Sequence, residues 1–280
     1  MNRECAIAVR EQFKIQGKTD CVELARQLGL SVREVESQGF DGALVRSASE
    51  MKGIIYVKRT MREQTRKRFT IAHEIGHFIL HGEQSLSCGS TEIEAWKGDQ
   101  SNPERQADEF ASELLLPSVE VLNQIGSQWP SFQLVGTIAD HFGVSLTATA
   151  RKYCDVAPQD CAAVWSVDGI IRWMHPSSHF NHWIAVGEKL GVDSFAAKAF
   201  AGNVIPQEMQ EVAAEEWISS NWFVDNAVIW EQTIPMPHYR GCLSLLWAKR
   251  QIENRPTEED ELLQELDPDA FTLRRKNWPK

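Results

Sequence analysis

The chain has 280 residues, of which 42% are hydrophobic and 24% charged, so it can bury one large core or two ordinary ones. Its net charge of −10 argues against a general affinity for nucleic acid. No stretch resembles a signal peptide or approaches the ~18 apolar residues of a membrane helix. The six cysteines form no C-x-x-C pair and are expected to stay reduced. These features predict a cytoplasmic protein without a membrane partner.

The first predicted elements are a helix over residues 20–28 and two strands over 42–46 and 53–57. A polar turn joins the strands, so they are expected to form a hairpin. Apolar residues at helical spacing then predict a helix over 68–81, with Thr70 as its N-cap. The hairpin would provide a sheet against which this helix packs.

An H-E-x-x-H motif, formed by His73, Glu74 and His77, lies within the predicted helix. Positions four apart share one helix face, so both imidazoles can reach one metal ion. Zinc binds such nitrogens at about 2.0–2.1 Å, although Mn²⁺ or Fe²⁺ could occupy the same ligands. Glu74 would lie beside the metal and could accept a proton from its water.

A zinc site of this kind needs a third protein ligand. His81 continues the series, but it lies about 12 Å along the helix axis from His73 and is expected to be a structural or rim residue. Glu104, at the start of the next predicted helix, is a better candidate. Asp108, one turn later, could accept the free N–H of a ligating imidazole. Weaker candidates for the third ligand are Glu92, Glu94, Asp99 and Glu109.

The helix that carries Glu104 is predicted to begin at Pro103 and to end before Pro117. Two short helices over 132–153, separated by a turn at 142–145, then form a helix-turn-helix pattern. Packing is favoured over DNA recognition, because the second helix has few groups for contacting phosphates. These are Thr147, Thr149, Arg151 and Lys152.

Residues 20–153 resemble the ImmA/IrrE family of metallopeptidases. The similarity rests on DGALVRS (41–47), RFTIAHEIGHFILH (68–81), ERQADEFASELLLP (104–117) and IADHFGVSLTATARKY (138–153). It implies a zincin-like fold and a gluzincin-like zinc site with Glu104 as the third ligand. It also implies a protein substrate, usually a helix-turn-helix transcriptional repressor that is cut under stress or during mobile-element induction.

The predicted fold class is α+β, with a composition shift at residues 155–159 taken as a domain boundary. Residues 1–154 would form a mainly helical peptidase domain with a small sheet. Residues 155–252 would form a smaller α+β domain, for which the resemblance suggests a GAF-like sensory role. Residues 253–280 would be a charged mobile tail. Within the second domain the expected elements are a hairpin over 162–174, helices near 181–191 and 206–220, and strands near 226–234 and 242–248.

Four further features carry secondary hypotheses. The basic segment 58–68 is expected to be a solvated helix entry, with a steering patch for an acidic or DNA-bound partner as the alternative. His175, His179 and His182 could hold a second metal but are expected to be polar loop residues. The tryptophans beyond residue 155 are expected in the core, with a ligand pocket as the alternative. A Cys88 thiolate could cap the zinc, but no neighbouring base supports this.

The sequence favours a zinc endopeptidase that acts on a repressor or an antitoxin-like protein. The alternative is a non-catalytic regulator that binds a partner or DNA and uses its metal structurally. A structural zinc would have four protein ligands and would not need Glu74 beside it.

Three residues are candidates in principle for stabilising an oxyanion, namely His141, Tyr56 and Arg151. The sequence does not indicate an oligomeric state.

Overall fold

The computed structural model describes residues 2–47, 52–81, 87–88, 102–219 and 227–248. Several features named above lie outside these residues, namely Glu92, Glu94, Asp99, the side chain of Cys88 and the predicted tail 253–280.

The amino-terminal part of the chain combines helices with a small mixed sheet. Its helices are α1 (Asn2–Gln12), α2 (Cys21–Gln27), α3 (Gln64–Leu80), α4 (Pro103–Leu115), α5 (Ser118–Ile125), α6 (Phe132–Phe142) and α7 (Leu146–Val156). Its strands are β1 (Leu30–Val35), β2 (Gly42–Arg46), β3 (Gly53–Lys58) and β4 (Ser87–Cys88). The strand order is β1-β3-β2-β4, with β1 parallel to β3 and the other pairs antiparallel.

The β2–β3 hairpin and the helix-turn-helix are confirmed. The helix-turn-helix follows directly from local chemistry: Ser131 and Ser145 cap the two helices with their hydroxyl groups. Gly143 adopts the left-handed conformation that ends the first helix, with φ of 62°. These elements form where the sequence signals predict them, because the signals are local.

The prediction of Thr70 as an N-cap was wrong, because α3 begins at Gln64. Four of the six helical residues before Thr70 are long, straight-chain types with good helix propensity, namely Gln64, Arg66, Lys67 and Arg68. Ion pairs also bind this first turn to the sheet, from Arg66 to Asp41 and from Lys67 to Glu34. The additional turn therefore extends the helix toward the strands.

Helices α3 and α4 share a hydrophobic core with the small sheet. Its largest fully buried side chains include Leu44, Ile55, Ile71, Ile75, Phe110 and Leu114. None of the described helices has both the length and the apolar character needed to cross a membrane.

The carboxyl-terminal part contains a five-stranded antiparallel sheet of order β6-β5-β9-β8-β7. Its elements are β5 (Cys161–Val167), β6 (Ile170–Pro176), α8 (Phe195–Phe200), β7 (Gln210–Ala213), β8 (Val228–Met236) and β9 (Gly241–Trp247). The β5–β6 hairpin turns at Asp168 and Gly169, both with positive φ.

No α-helix forms in the described residues of the segments predicted near 181–191 and 206–220, where the second contains only a short 3-10 helix (Ala214–Glu216), and α8 lies between these segments. In the first segment, Gly187 has a φ of 97°, which interrupts a helix. Gly191 lies so close to the backbone of Glu216 that a Cβ would come within 2.6 Å of its Cα. In the second segment, β7 pairs with β8, so sheet formation overrides the helical pattern.

One hydrophobic cluster contains residues from both sides of the proposed boundary at 155–159. It joins Val135, Phe142 and Tyr153 to Leu243 and Leu245. The chain from Met1 to Ala248 forms one compact unit. The division into a peptidase domain and a second domain stays a proposal. Residues of both regions belong to one buried hydrophobic cluster.

Candidate metal centre

Three potential ligands converge where α3 and α4 cross. The ligand atoms of His73, His77 and Glu104 all lie within 4.8 Å of one another. The two Nε2 atoms are 3.0 Å apart, and each lies 3.2 Å from an oxygen of the Glu104 carboxylate. Two imidazoles and one carboxylate form a donor set found in open zinc sites. The residues present therefore fit a divalent metal ion.

Small residues at the crossing allow this convergence. Gly76 lies between the two histidines, and a Cβ there would lie 3.2 Å from the Cα of Ala107 and 3.1 Å from Cδ1 of Phe110. The close approach of the helices brings Glu104, one turn before Ala107, opposite the imidazoles. A glycine within a helical pattern costs about 1 kcal/mol relative to alanine, so Gly76 is a sequence signal of close packing, although it was not predicted as a site residue.

Asp108 contacts the outer nitrogen of one candidate ligand. Its Oδ1 lies 2.8 Å from Nδ1 of His73, on the side opposite Glu104. Because an ionised carboxylate can only accept, Nδ1 carries a proton, and when the imidazole is neutral this leaves the lone pair of Nε2 for a metal at the centre. Asp108 therefore lies where it would fix the tautomer and orientation of His73.

Glu74 is fully buried, at 0% exposure, and among the described residues neither of its carboxylate oxygens has a hydrogen-bond partner. Burial raises the pKa of Glu74 to about 7. The charge of His73 acts to lower this pKa, and the charge of Glu104 acts to raise it further. A buried carboxylate without a partner is costly, which is typical of functional sites.

Gly42 of β2 makes room for Glu74. A Cβ at position 42 would lie 2.6 Å from Oε1 of Glu74 and 2.4 Å from Cγ2 of Thr70. Gly42 was not predicted as a site residue, although a glycine at a strand end can signal a close approach.

Glu104 is held in its ionised form by the neighbouring imidazoles. Burial acts to raise the pKa of Glu104, but hydrogen bonds and charges from His73 and His77 outweigh it and lower the pKa well below the ordinary value. The ionised carboxylate is the form that binds a metal.

His81 lies outside the converging group. Its Nε2 is 3.3 Å from the carbonyl oxygen of Pro103, and its ring centroid is 5.4 Å from that of His77. Burial, followed by the charge of His77, lowers the pKa of His81. His81 therefore contacts the start of α4 rather than the metal centre.

Glu109 and two of the three oxyanion candidates make contacts with residues other than the converging ligands. Glu109 accepts hydrogen bonds from Asn2 and Arg105. Of the oxyanion candidates, Arg151 lies over the ring of Trp173, and His141 packs against Phe142. Tyr56 lies in β3.

The second histidine cluster does not assemble a metal site among the described residues, where the His73 group is the one cluster that meets the geometry. Nε2 of His175 lies 2.6 Å from Oδ1 of Asp155, and the ring of His182 packs against Phe180. His179 and His182 lie outside helices and strands, as expected, whereas the expectation of a loop residue was wrong for His175, which lies in β6.

The second helix of the helix-turn-helix is largely internal. Lys152 and Thr149 are buried, and Nζ of Lys152 lies 2.6 Å from Oε2 of Glu113. Thr149 donates to the carbonyl of Ser145. Two of the four groups that could have contacted phosphates are therefore buried, which favours packing over DNA recognition.

Ion pairs compensate much of the charge in the basic segment 58–68. Lys58 and Arg66 both pair with Asp41, and Lys67 pairs with Glu34. Arg68 donates to backbone carbonyls, including those of Phe142 and Thr19. This pattern favours a solvated helix entry over a steering patch.

Comparisons with known proteins agree with this architecture. Residues 25–153 match the model of a family described as the IrrE N-terminal-like domain, Peptidase M78. The chain is similar to a solved Mycobacterium tuberculosis transcriptional regulator, with a TM-score of 0.53 over 88% of this chain and 87% of that chain. At 15% identity, this similarity supports the α+β fold alone. No curated protein matches the chain.

Proposed function

Since residues 25–153 belong to the IrrE N-terminal-like peptidase family, we propose that the protein is a metal-dependent endopeptidase with a regulatory role. The observation that carries this proposal is the convergence of His73, His77 and Glu104, with the buried carboxylate of Glu74 next to His73 in the chain. Family membership indicates a divalent metal as cofactor, and we propose zinc, with Mn²⁺ or Fe²⁺ as alternatives.

His73, His77 and Glu104 would hold the ion, and three protein ligands would leave one position open. A divalent ion bound there supplies Lewis acidity, which polarises a scissile carbonyl and lowers the pKa of water toward about 7. Asp108 would keep Nε2 of His73 unprotonated by accepting the Nδ1 proton. This division of roles is supported by the geometry of α3 and α4.

Glu74 would act as the general base. It would accept a proton from the attacking water at a carboxylate oxygen and deliver it to the leaving amine. A pKa of about 7 places this carboxyl close to the pH at which both transfers are efficient. Its lack of a hydrogen-bond partner among the described residues leaves both oxygens available for this role.

The proposed substrate is a cytoplasmic helix-turn-helix repressor or an antitoxin-like protein, cut in a stress or mobile-element response. Support comes from the family resemblance of residues 25–153. The alternative is a non-catalytic regulator that retains the metal and binds its partner without cutting it.

The test is to incubate the zinc-loaded protein with the helix-turn-helix repressor encoded nearby and to analyse the products by mass spectrometry. We expect one cut, which a chelator abolishes and added Zn²⁺ restores. The variant Glu74→Gln should keep zinc and lose about 10²–10⁴-fold in rate. Normal cleavage by this variant would refute the general-base role, and stable co-elution without cleavage would favour the non-catalytic regulator.

A further inference from the structure

The peptide unit between Pro103 and Glu104 is held by side chains at both of its polar atoms. The carbonyl oxygen of Pro103 accepts from Nε2 of His81 at 3.3 Å, and the amide nitrogen of Glu104 donates to Oδ1 of Asn102 at 2.9 Å. The proline ring also restricts φ at position 103. The backbone that carries the Glu104 side chain is therefore constrained on both sides.

This constraint matters because Glu104 lies in the first turn of α4, after the N-cap Asn102. Amides in a first turn lack partners within the helix, and helix ends fray. A metal ligand must nevertheless keep its distance to the ion within about 0.2 Å. A rotation of this peptide plane would displace the carboxylate, which now lies 3.2 Å from Nε2 of both histidines.

His81 connects this turn to the helix that carries the other ligands. It is the C-cap residue of α3, four positions after His77. A carbonyl oxygen can only accept, so Nε2 of His81 must carry a proton, and this nitrogen has no lone pair for a metal. The three histidines at four-residue spacing therefore differ in role: two face the centre, and the third contacts the helix that supplies Glu104.

We propose that His81 and Asn102 are positioning residues, which hold the Glu104 carboxylate in register with His73 and His77. This inference rests on the proposed metal site and extends it to two residues that do not touch the ion. Their contribution is to the affinity and geometry of the metal site, separately from the stability of the fold.

The test compares His81→Phe, which keeps a ring but loses the donor, with His81→Gln, whose amide can donate from a similar position. Zinc affinity is measured by chelator competition, and site geometry by the visible spectrum of the Co²⁺-loaded protein, both without substrate. Loss of an outer contact to a metal site commonly costs 10–100-fold, so we expect His81→Phe to bind zinc about tenfold more weakly. Its Co²⁺ spectrum should change, and His81→Gln should recover most of both properties.

Asn102 provides a second, independent pair of variants. Asn102→Ala removes the acceptor for the Glu104 amide and should weaken zinc binding, whereas Asn102→Ser keeps a capping oxygen and should retain it. His182→Ala, in an exposed loop, is the matched control and should leave zinc affinity unchanged. The melting temperatures of the metal-free proteins distinguish a positioning role from a folding role. A variant that loses only positioning should bind zinc more weakly while its metal-free melting temperature stays near that of the wild type.

Unchanged zinc affinity and an unchanged Co²⁺ spectrum in both His81→Phe and Asn102→Ala would overturn the inference. The measurements do not depend on cleavage, so a wild type that binds metal but cuts nothing would refute the peptidase while still testing the positioning roles. A wild type that binds no metal would refute both.

Discussion

Glu74 illustrates how single residues determine this site. Its carboxylate is buried beneath β2, and the absence of a side chain at Gly42 creates the space for it. Gly42 does not adopt a positive φ, so backbone conformation is not the reason for a glycine here. The requirement is a close approach between the strand and the helix.

We predict that Gly42→Ala lowers kcat/KM about 10²-fold while zinc affinity stays near that of the wild type. The added Cβ would lie 2.6 Å from Oε1 of Glu74, so the carboxylate must move. Displacing a catalytic group by about 1 Å can cost this much. Peptidase kinetics and zinc titration measure the two effects.

The matched control is Gly39→Ala, whose Cβ would meet no atom within 4 Å. It should leave the kinetics unchanged. Wild-type kinetics in Gly42→Ala would show that the close contact with Glu74 has no catalytic importance.

A second prediction at this scale concerns Asp108. Asp108→Asn should weaken zinc binding by about 10–100-fold, because the amide holds Nδ1 of His73 less firmly in the protonated tautomer. Chelator competition measures the effect. Glu109→Gln is the control, because Glu109 bonds to Asn2 and Arg105 instead. Equal zinc affinity in the two variants would argue against the role assigned to Asp108.

At the scale of secondary structure, α4 is held between two neighbours. It crosses α3 at Gly76 and Ala107, and a buried ion pair between Glu113 and Lys152 joins it to α7. Glu113 also accepts hydrogen bonds from the amide and hydroxyl groups of Ser118. The helix that supplies Glu104 is thus fixed to the helix-turn-helix at its far end.

We predict that Lys152→Met lowers the free energy of unfolding by about 3–5 kcal/mol, because it leaves the Glu113 carboxylate buried without its cation. Denaturant titration measures this quantity. The double variant Glu113→Gln/Lys152→Met should regain part of the loss, because no buried charge remains. A single variant as stable as the wild type would show that this ion pair is dispensable.

The same pair predicts a pH dependence. Burial acts to raise the pKa of Glu113, but Lys152 and Ser118 outweigh it, so the pKa lies below its ordinary value of 4.5. A depressed pKa stabilises the fold fully above pH 4.5, and this contribution is lost as the pH falls through the folded-state pKa.

The free energy of unfolding of the wild type should therefore decrease below about pH 4.5. In Lys152→Met, the cation is lost and only Ser118 still opposes burial, so the pKa of Glu113 should rise and its contribution to the pH dependence should shrink. Denaturant titrations of both proteins at a series of pH values compare the slopes. Parallel pH profiles would contradict this assignment.

At the scale of the whole molecule, the second sheet packs against the helices that hold the candidate site in place. Its β9 residues share a core with α6 and α7, and α7 in turn holds α4 through Lys152. Tyr239, between β8 and β9, donates a hydrogen bond at 2.5 Å to Glu63, the N-cap residue of α3. Helix α3 therefore contacts the region with the proposed sensory role directly, through Tyr239. Helix α4 contacts this region indirectly, through α7.

We predict that metal binding stabilises the whole unit. A ligand present at 100 times its Kd adds about 2.7 kcal/mol to the free energy of unfolding, so a chelator should lower the melting temperature of the zinc-loaded protein. The variant Glu104→Ala should show a smaller response, because one ligand is missing. An equal response to the chelator in both proteins would indicate that the metal binds elsewhere.

The sequence by itself determined the features that depend on near neighbours. Periodicity, turn residues and flanking prolines predicted the β2–β3 hairpin, α4 and the helix-turn-helix, and the four-residue spacing of His73 and His77 predicted their shared helix face. Local signals suffice here because the interactions span only a few residues.

The tertiary structure decided which distant groups meet. The sequence left Glu109 and three loop carboxylates as alternatives to Glu104, and it assigned Thr70 to a helix start. The crossing at Gly76 brings Glu104, rather than Glu109, to the histidines, and ion pairs with the sheet extend α3 beyond Thr70. Pairing with β8 likewise converts part of a predicted helix into β7. These outcomes depend on packing between residues far apart in the chain, which no local pattern records.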